Sequence, residues 1–148
     1  MGPYGWRGEH KTLDEHVTTT IANLAGKGLP DAELASLLTF VRALPKRSAA
    51  GACLLTEAES ARGKGLFASA ECSNCHTATG SDRALHDVGT GGAFMTPTLA
   101  SVGTRNGLMH DHRYQSLDYL LARSTSMGRG ASLSPDERHA LVRWLETL

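Results

Sequence analysis

Cys72-Ser73-Asn74-Cys75-His76 is the stretch from which the rest of the chain is read. Two thiols three positions apart are spaced to form thioethers to the two vinyl groups on one edge of a porphyrin. A histidine directly after them is delivered under the iron. Cys72 and Cys75 are therefore candidate attachment points for one covalent haem c, and His76 is the candidate proximal ligand. An imidazole in that role gives its other ring N–H to a backbone carbonyl, which fixes the tautomer and raises its basicity. Two other chemistries use the same residues less well. Adjacent Cys75 and His76 close a zinc tetrahedron awkwardly, and the sequence has no second CxxC. A thioredoxin-like redox pair belongs in a βαβ setting, which this sequence does not offer. Cys53 is left without a partner in the chain and reads as a tolerated free thiol.

Working outward, the flanks read as helices. Upstream, Thr56 and Glu59 form a capping box that opens a helix running to about Phe67. Downstream, Ser116 caps a short helix carrying Leu117, Leu120 and Leu121, which Met127-Gly128-Arg129-Gly130 breaks. Ser134, Pro135 and Glu137 give an N-cap, a first-turn proline and a second capping box. The helix they open places Leu141, Trp144, Leu145 and Leu148 on one face. Near the start, Thr12 and Glu15 cap a helix with Leu13, Val17, Ile21 and Leu24 on one side. A further helix spans Asp31 to Leu44, closed by Pro45. Residues 1–45 thus form a helix pair, 46–55 a linker without periodicity, and 56–148 the haem domain.

Residues 77–115 stand apart, with little helical period, few strand signals and many glycines. So long a structureless stretch is reasonable if something other than side chains fills the core it wraps. The sixth iron ligand decides whether the haem binds peroxide or only passes electrons. Met95, Met109, Met127, His86, His110 and His112 are the candidates. Met127 is preferred, because its Gly-flanked loop falls where a chain crossing the far face of the haem would run. Met95 and Met109 suit the wall of the pocket. His110 or His112 would instead make a bis-His haem of lower potential. Arg105 and Arg113 are candidate propionate partners. His10, His16, His86 and His139 read most simply as surface or helix-face residues.

Composition removes several classes. Fifteen Lys+Arg balance fifteen Asp+Glu, so the formal net charge is zero. That leaves no basic stripe for nucleic acid and no polybasic membrane patch. No run approaches the roughly 18 apolar residues of a membrane-spanning helix. Met1-Gly2-Pro3-Tyr4 does not open like a signal peptide.

One internal repeat is visible. A shift of 104 residues lays Trp6–Leu44 over His110–Leu148 without a gap, with seven identities in 39 positions. Leu13, Asp14, Gly26, Leu29, Glu33, Leu37 and Leu44 meet Leu117, Asp118, Gly130, Leu133, Glu137, Leu141 and Leu148. Met127 falls on Asn23, a poor haem ligand. On this reading residues 1–45 are the back half of a preceding unit.

Ala61-Arg62-Gly63-Lys64-Gly65-Leu66-Phe67 ahead of the Cys motif resembles the first helix of a class I cytochrome c fold. The resemblance implies that a glycine and an aromatic of that helix pack on the last helix through Trp144 and Leu145. His86-Asp87-Val88-Gly89-Thr90, Thr96-Pro97-Thr98-Leu99, His110-Asp111 and Leu133-Ser134-Pro135-Asp136-Glu137 resemble, more narrowly, the C-terminal haem domain of the bacterial dihaem cytochrome c peroxidases. The likeness covers residues 56–148 and, more weakly, 3–45. It implies an all-α, class I cytochrome c-like domain with an extra N-terminal helix pair, exported to the periplasm or beyond. It also implies a methionine or histidine ligand in the loop holding Met127-Gly128.

The expected function is electron transfer through one haem with His76/Met127 ligation. The partner is another redox protein or a redox domain upstream in the same polypeptide. The alternative is the C-terminal part of a dihaem peroxidase or related oxidase that reduces hydrogen peroxide, although the single CxxCH argues against activity in this chain alone. A gas sensor ranks last, since no output domain is visible.

Overall fold

The computed structural model describes residues 3–25, 27–45, 55–77 and 80–148. Cys53 and most of the expected linker lie outside the described residues. The chain divides into two compact units, Met1–Lys46 and Arg47–Leu148.

In the C-terminal unit both capping boxes form as the sequence pattern predicts. Thr56 Oγ1 accepts the Glu59 N–H (3.2 Å) while Glu59 Oε2 accepts the Thr56 N–H (2.8 Å). These open α3, Glu57–Ser69, numbered after the two helices of the N-terminal unit. Ser134 and Glu137 repeat the device, with Pro135 in the first turn, at the start of α5, Pro135–Leu145. Each box satisfies two amide donors that would otherwise be orphaned at a helix start.

The two helices pack closely. Gly63 and Phe67 are the buried residues of α3, and the Phe67 ring lies 5.1 Å from that of Trp144. At the rim Arg143 Nη1 donates to Glu59 Oε1 at 3.0 Å. The short α4, Leu117–Arg123, buries Leu117, Leu120 and Leu121 and is capped by Ser116, whose hydroxyl accepts the Tyr119 N–H. Leu99, Val102 and Leu108 complete a core around the fully buried Leu141.

Residues 77–115 differ from the strand-poor reading. Leu85–Asp87 (β1) and Ala93–Met95 (β2) form an antiparallel hairpin in the register Leu85↔Met95, His86↔Phe94, Asp87↔Ala93. Each strand has three residues, too few to display an alternation. Glycines in the connecting turn, Gly89 and Gly91 among them, take the positive φ that reverses the chain.

In the N-terminal unit, α1 (Leu13–Ala25) and α2 (Asp31–Ala43) are tied by Arg42 and Asp14 at 2.6 Å. Tyr4 and His10 exchange backbone hydrogen bonds across a small loop. His16 takes the helix-face alternative of its reading, half-buried on α1. Its ring lies 6.1 Å from that of Tyr4 and 5.2 Å from that of His10, and its buried Nδ1 has no hydrogen-bond partner among the described residues.

Candidate haem site

The site is built at the C-terminal end of α3. Ala70 caps the helix and Glu71 takes a left-handed conformation (φ 63°), which swings the chain into a tight turn at Cys72–Asn74. The Cys75 and His76 N–H groups both donate back to the Cys72 carbonyl, at 3.4 and 3.0 Å. Two thiols and an imidazole therefore leave one turn of backbone. Both cysteines are free. Burial pushes both thiols up, and for Cys75 the nearby Asp82 carboxylate adds to it.

His76 Nδ1 lies 3.2 Å from the carbonyl oxygen of Pro97. A carbonyl only accepts, so Nδ1 carries the proton and Nε2 keeps its lone pair. Burial lowers the His76 pKa, with the Pro97 carbonyl opposing, so the imidazole is neutral at pH 7. A neutral ring oriented through Nδ1–H is the form that ligates a metal through Nε2. The carbonyl expected for this role is thus Pro97, 21 residues downstream of His76.

Met127 is half-buried against the core, as are Cys72 and Met109. Its loop is held by the Arg129 N–H, which donates to the Ala70 carbonyl at 2.8 Å. An ion pair between Arg129 and Glu71 (2.8 Å) adds to this. Gly128 has φ 64°, and a Cβ there would lie 2.4 Å from the Ala70 oxygen. The loop bearing Met127 is therefore seated on the residues that lead into Cys72.

The other candidate ligands are distributed differently. His86, on β1, has its Nε2 2.7 Å from Asp82 Oδ2. The Ala84 N–H first, then His86 and Thr96, hold the Asp82 carboxyl down at about 2. Cys75, Asp82 and His86 bring their ligand atoms within 4.8 Å of one another. Met95 is half-buried on β2. The His110 ring stacks on Phe94 at 3.9 Å. His112 is exposed and left-handed, packed over Gly107. Of the two candidate propionate partners, Arg105 donates through Nη2 to the Thr98 and Ala100 carbonyls, at 2.6 and 3.1 Å. Arg113 is engaged with Asp111 and with the Gly89 carbonyl. Pro97 and Ala70 were not identified from sequence, because they act through backbone carbonyls on partners distant in the chain; Asp82, whose Ala84 and His86 partners are local, was not identified either.

The donor set suits a porphyrin bound through two thioethers and one imidazole. Among the described residues the buried Thr90 hydroxyl has no hydrogen-bond partner. A scan against protein families matches the cytochrome c family over residues 60–148. The chain belongs to the cytochrome c family. Searches of curated proteins and of solved structures returned no match.

Membership of the cytochrome c family brings a covalently bound haem c and haem-based electron transfer. The matched span includes most of α3, the Cys72–His76 turn, the hairpin and α5. Among the described residues no helix of this cytochrome is long and apolar enough to cross a membrane.

Proposed function

We propose that residues 56–148 are a monohaem electron-transfer domain. Cys72 and Cys75 would hold the haem through thioethers to its two vinyl groups, and His76 Nε2 and the Met127 sulfur would ligate its iron. The observation that carries the reading is the His76–Pro97 hydrogen bond beside two free thiols. It presents a neutral Nε2 on the turn that would attach the porphyrin. The seating of Gly128 and Arg129 on the Ala70 carbonyl supports Met127, since it fixes the loop beside that turn. When bound, the haem supplies an iron that cycles between Fe(III) and Fe(II).

The polypeptide's contribution is orientation. Pro97 holds the imidazole, the α3–α5 contact holds the attachment turn, and a closed sixth position keeps small ligands off the metal. A zero net charge suits brief docking to another redox protein without strong steering. Covalent haem attachment of this kind fits an exported, periplasmic protein. The class I likeness of α3 and α5 and the standing of α1–α2 as an additional helix pair belong to the same proposal.

A second reading takes the chain as the C-terminal part of a dihaem peroxidase or related oxidase. The N-terminal helix pair favours it, because that pair repeats the order of α4 and α5. The test is the optical spectrum of haem-matured protein, oxidised and reduced, beside Met127→Ala. A long-wavelength charge-transfer band of Met–Fe(III) in the parent, lost in the variant, supports the closed electron-transfer site. A high-spin parent spectrum, or one that the substitution leaves unchanged, overturns the Met127 assignment. Those outcomes favour an open site or a histidine such as His110.

A further inference from the structure

The shift of 104 residues aligns backbone features as well as residue types. The antiparallel bridge Tyr4–His10 corresponds to Leu108–Tyr114. Left-handed Gly5 (φ 89°) and Gly8 (φ 68°) correspond to left-handed Met109 (φ 70°) and His112 (φ 55°). The Gly8 N–H reaches the Gly5 carbonyl at 3.3 Å, and the His112 N–H reaches the Met109 carbonyl at 3.3 Å. Thr12 accepts the Glu15 N–H as Ser116 accepts the Tyr119 N–H. The equivalent Asp14 and Asp118 each pair with an arginine of the following helix, Arg42 and Arg138, although those two arginines are not equivalent under the shift. Helices begin at Leu13 and Leu117, and at Asp31 and Pro135. Met109 and His112 adopt the left-handed form without being glycine, which local propensity alone does not favour.

The two copies differ in what covers them. Trp144 is 5% exposed, seated on Gly63 and Phe67 of α3. Its counterpart Phe40 is 62% exposed. Leu141 and Leu145 are buried on α5, whereas their counterparts Leu37 and Val41 are only half-buried. No described residue of the N-terminal unit is fully buried. Helices of 13 residues are marginal without tertiary packing, and an apolar helix face requires a partner layer. The α3–α5 interface shows what that layer is in the covered copy.

We propose that the Leu37–Phe40–Val41 face of α2 is the docking surface for a helix of the α3 kind. That helix is amphipathic, with a glycine opposite Phe40 and an aromatic one turn later, and it leads into a CxxCH haem segment of its own. The proposal rests on reading residues 1–45 as the back half of a cytochrome unit. A second folded copy of this chain does not supply the helix, because its α3 is already against α5.

The probe is a synthetic peptide of residues 55–77 of this chain, with haem attached at Cys72 and Cys75. It is titrated calorimetrically into the full-length holoprotein. Binding is expected in the parent, weakened at least tenfold by Phe40→Asp and retained or tightened by Phe40→Trp, which restores the residue of the covered copy. Absence of binding, or binding indifferent to Phe40→Asp, overturns the proposal. So does a dimer in sedimentation that Phe40→Asp dissociates, since the occupant is then a second copy. The spectrum of the Cys72–His76 haem is read in the same samples. Failure of that haem to attach counts against the proposed function of residues 56–148 and leaves the peptide titration as a separate result.

Discussion

A Cβ placed on Gly63 would stand 2.3 Å from the Cβ of Trp144 and 2.8 Å from its Cγ. The backbone of α3 therefore meets the Trp144 side chain directly, with no room for any other residue at position 63. This contact fixes how closely α3 lies against α5. The last carbonyls of α3 include that of Ala70, which holds the Met127 loop through Arg129, and Cys72 follows two residues later. The helix that carries the glycine thus leads, through Ala70, to both the Cys72–His76 turn and the Met127 loop.

Gly63→Ala is expected to destabilise the holoprotein by about 1–3 kcal/mol, the usual cost of overpacking a core contact. Gly65, on the same helix, meets nothing within 4 Å of an added Cβ. Gly65→Ala should stabilise by about 0.5–1 kcal/mol through helix propensity. Guanidinium unfolding of both variants checks the pair. Equal effects would show that α3 and α5 do not touch as described.

Gly128→Ala combines two penalties. A left-handed φ of 64° costs an L-residue about 1–2 kcal/mol, and the new methyl group meets the Ala70 carbonyl at 2.4 Å. The expected result is a displaced Met127 loop: lower stability together with a weakened Met–Fe(III) band. Lower stability with an unchanged spectrum would separate the loop from the haem and remove the support it lends to Met127.

The helices that frame the site were legible in sequence because their ends carry side-chain chemistry. Thr56/Glu59, Ser134/Glu137 and Thr12/Glu15 are local signals, each contained within four residues, and all three form. The turn at Cys72–His76, the proposed attachment point, is marked in sequence for the same reason, since its donors are adjacent. The hairpin was not, because three-residue strands cannot show a period. Nor could Pro97 be named as the partner of His76, since a backbone carbonyl 21 residues away leaves no local mark. Left-handed Glu71, Ser101, Met109 and His112 were invisible as well, because the usual sequence sign of that conformation is glycine or asparagine.

Asp82 should dominate part of the acid limb of stability. Its folded pKa of about 2 lies below the ordinary 3.8, chiefly through the Ala84 N–H and then His86. A depressed carboxylate stabilises the fold above its unfolded pKa, and that contribution is lost as pH falls through the folded value. The window therefore runs from about pH 4 down to about pH 2. Asp82→Asn should be less stable than the parent at pH 5, with the difference shrinking toward pH 2. Melting temperatures of both proteins across that range test this, and a constant difference would contradict the linkage.

The haem is expected to supply much of the C-terminal unit's interior. Among the described residues the buried apolar cluster holds ten side chains, from Phe67 to Leu145. That is a small core for a unit spanning Arg47–Leu148, and small cores leave domains marginal unless a bound group adds to them. Replacing both Cys72 and Cys75 with alanine should leave no haem attached after acid–acetone extraction. The resulting apoprotein should retain some helical circular dichroism, because the capping boxes and i→i+4 bonds are local. It should nevertheless lack a cooperative thermal transition, since so small an apolar cluster leaves a domain marginal. Haem surviving extraction in the double variant would exclude Cys72 and Cys75 as the attachment points. A sharp transition close to that of the holoprotein would show instead that the ten side chains suffice, and that the haem is bound to a domain already folded.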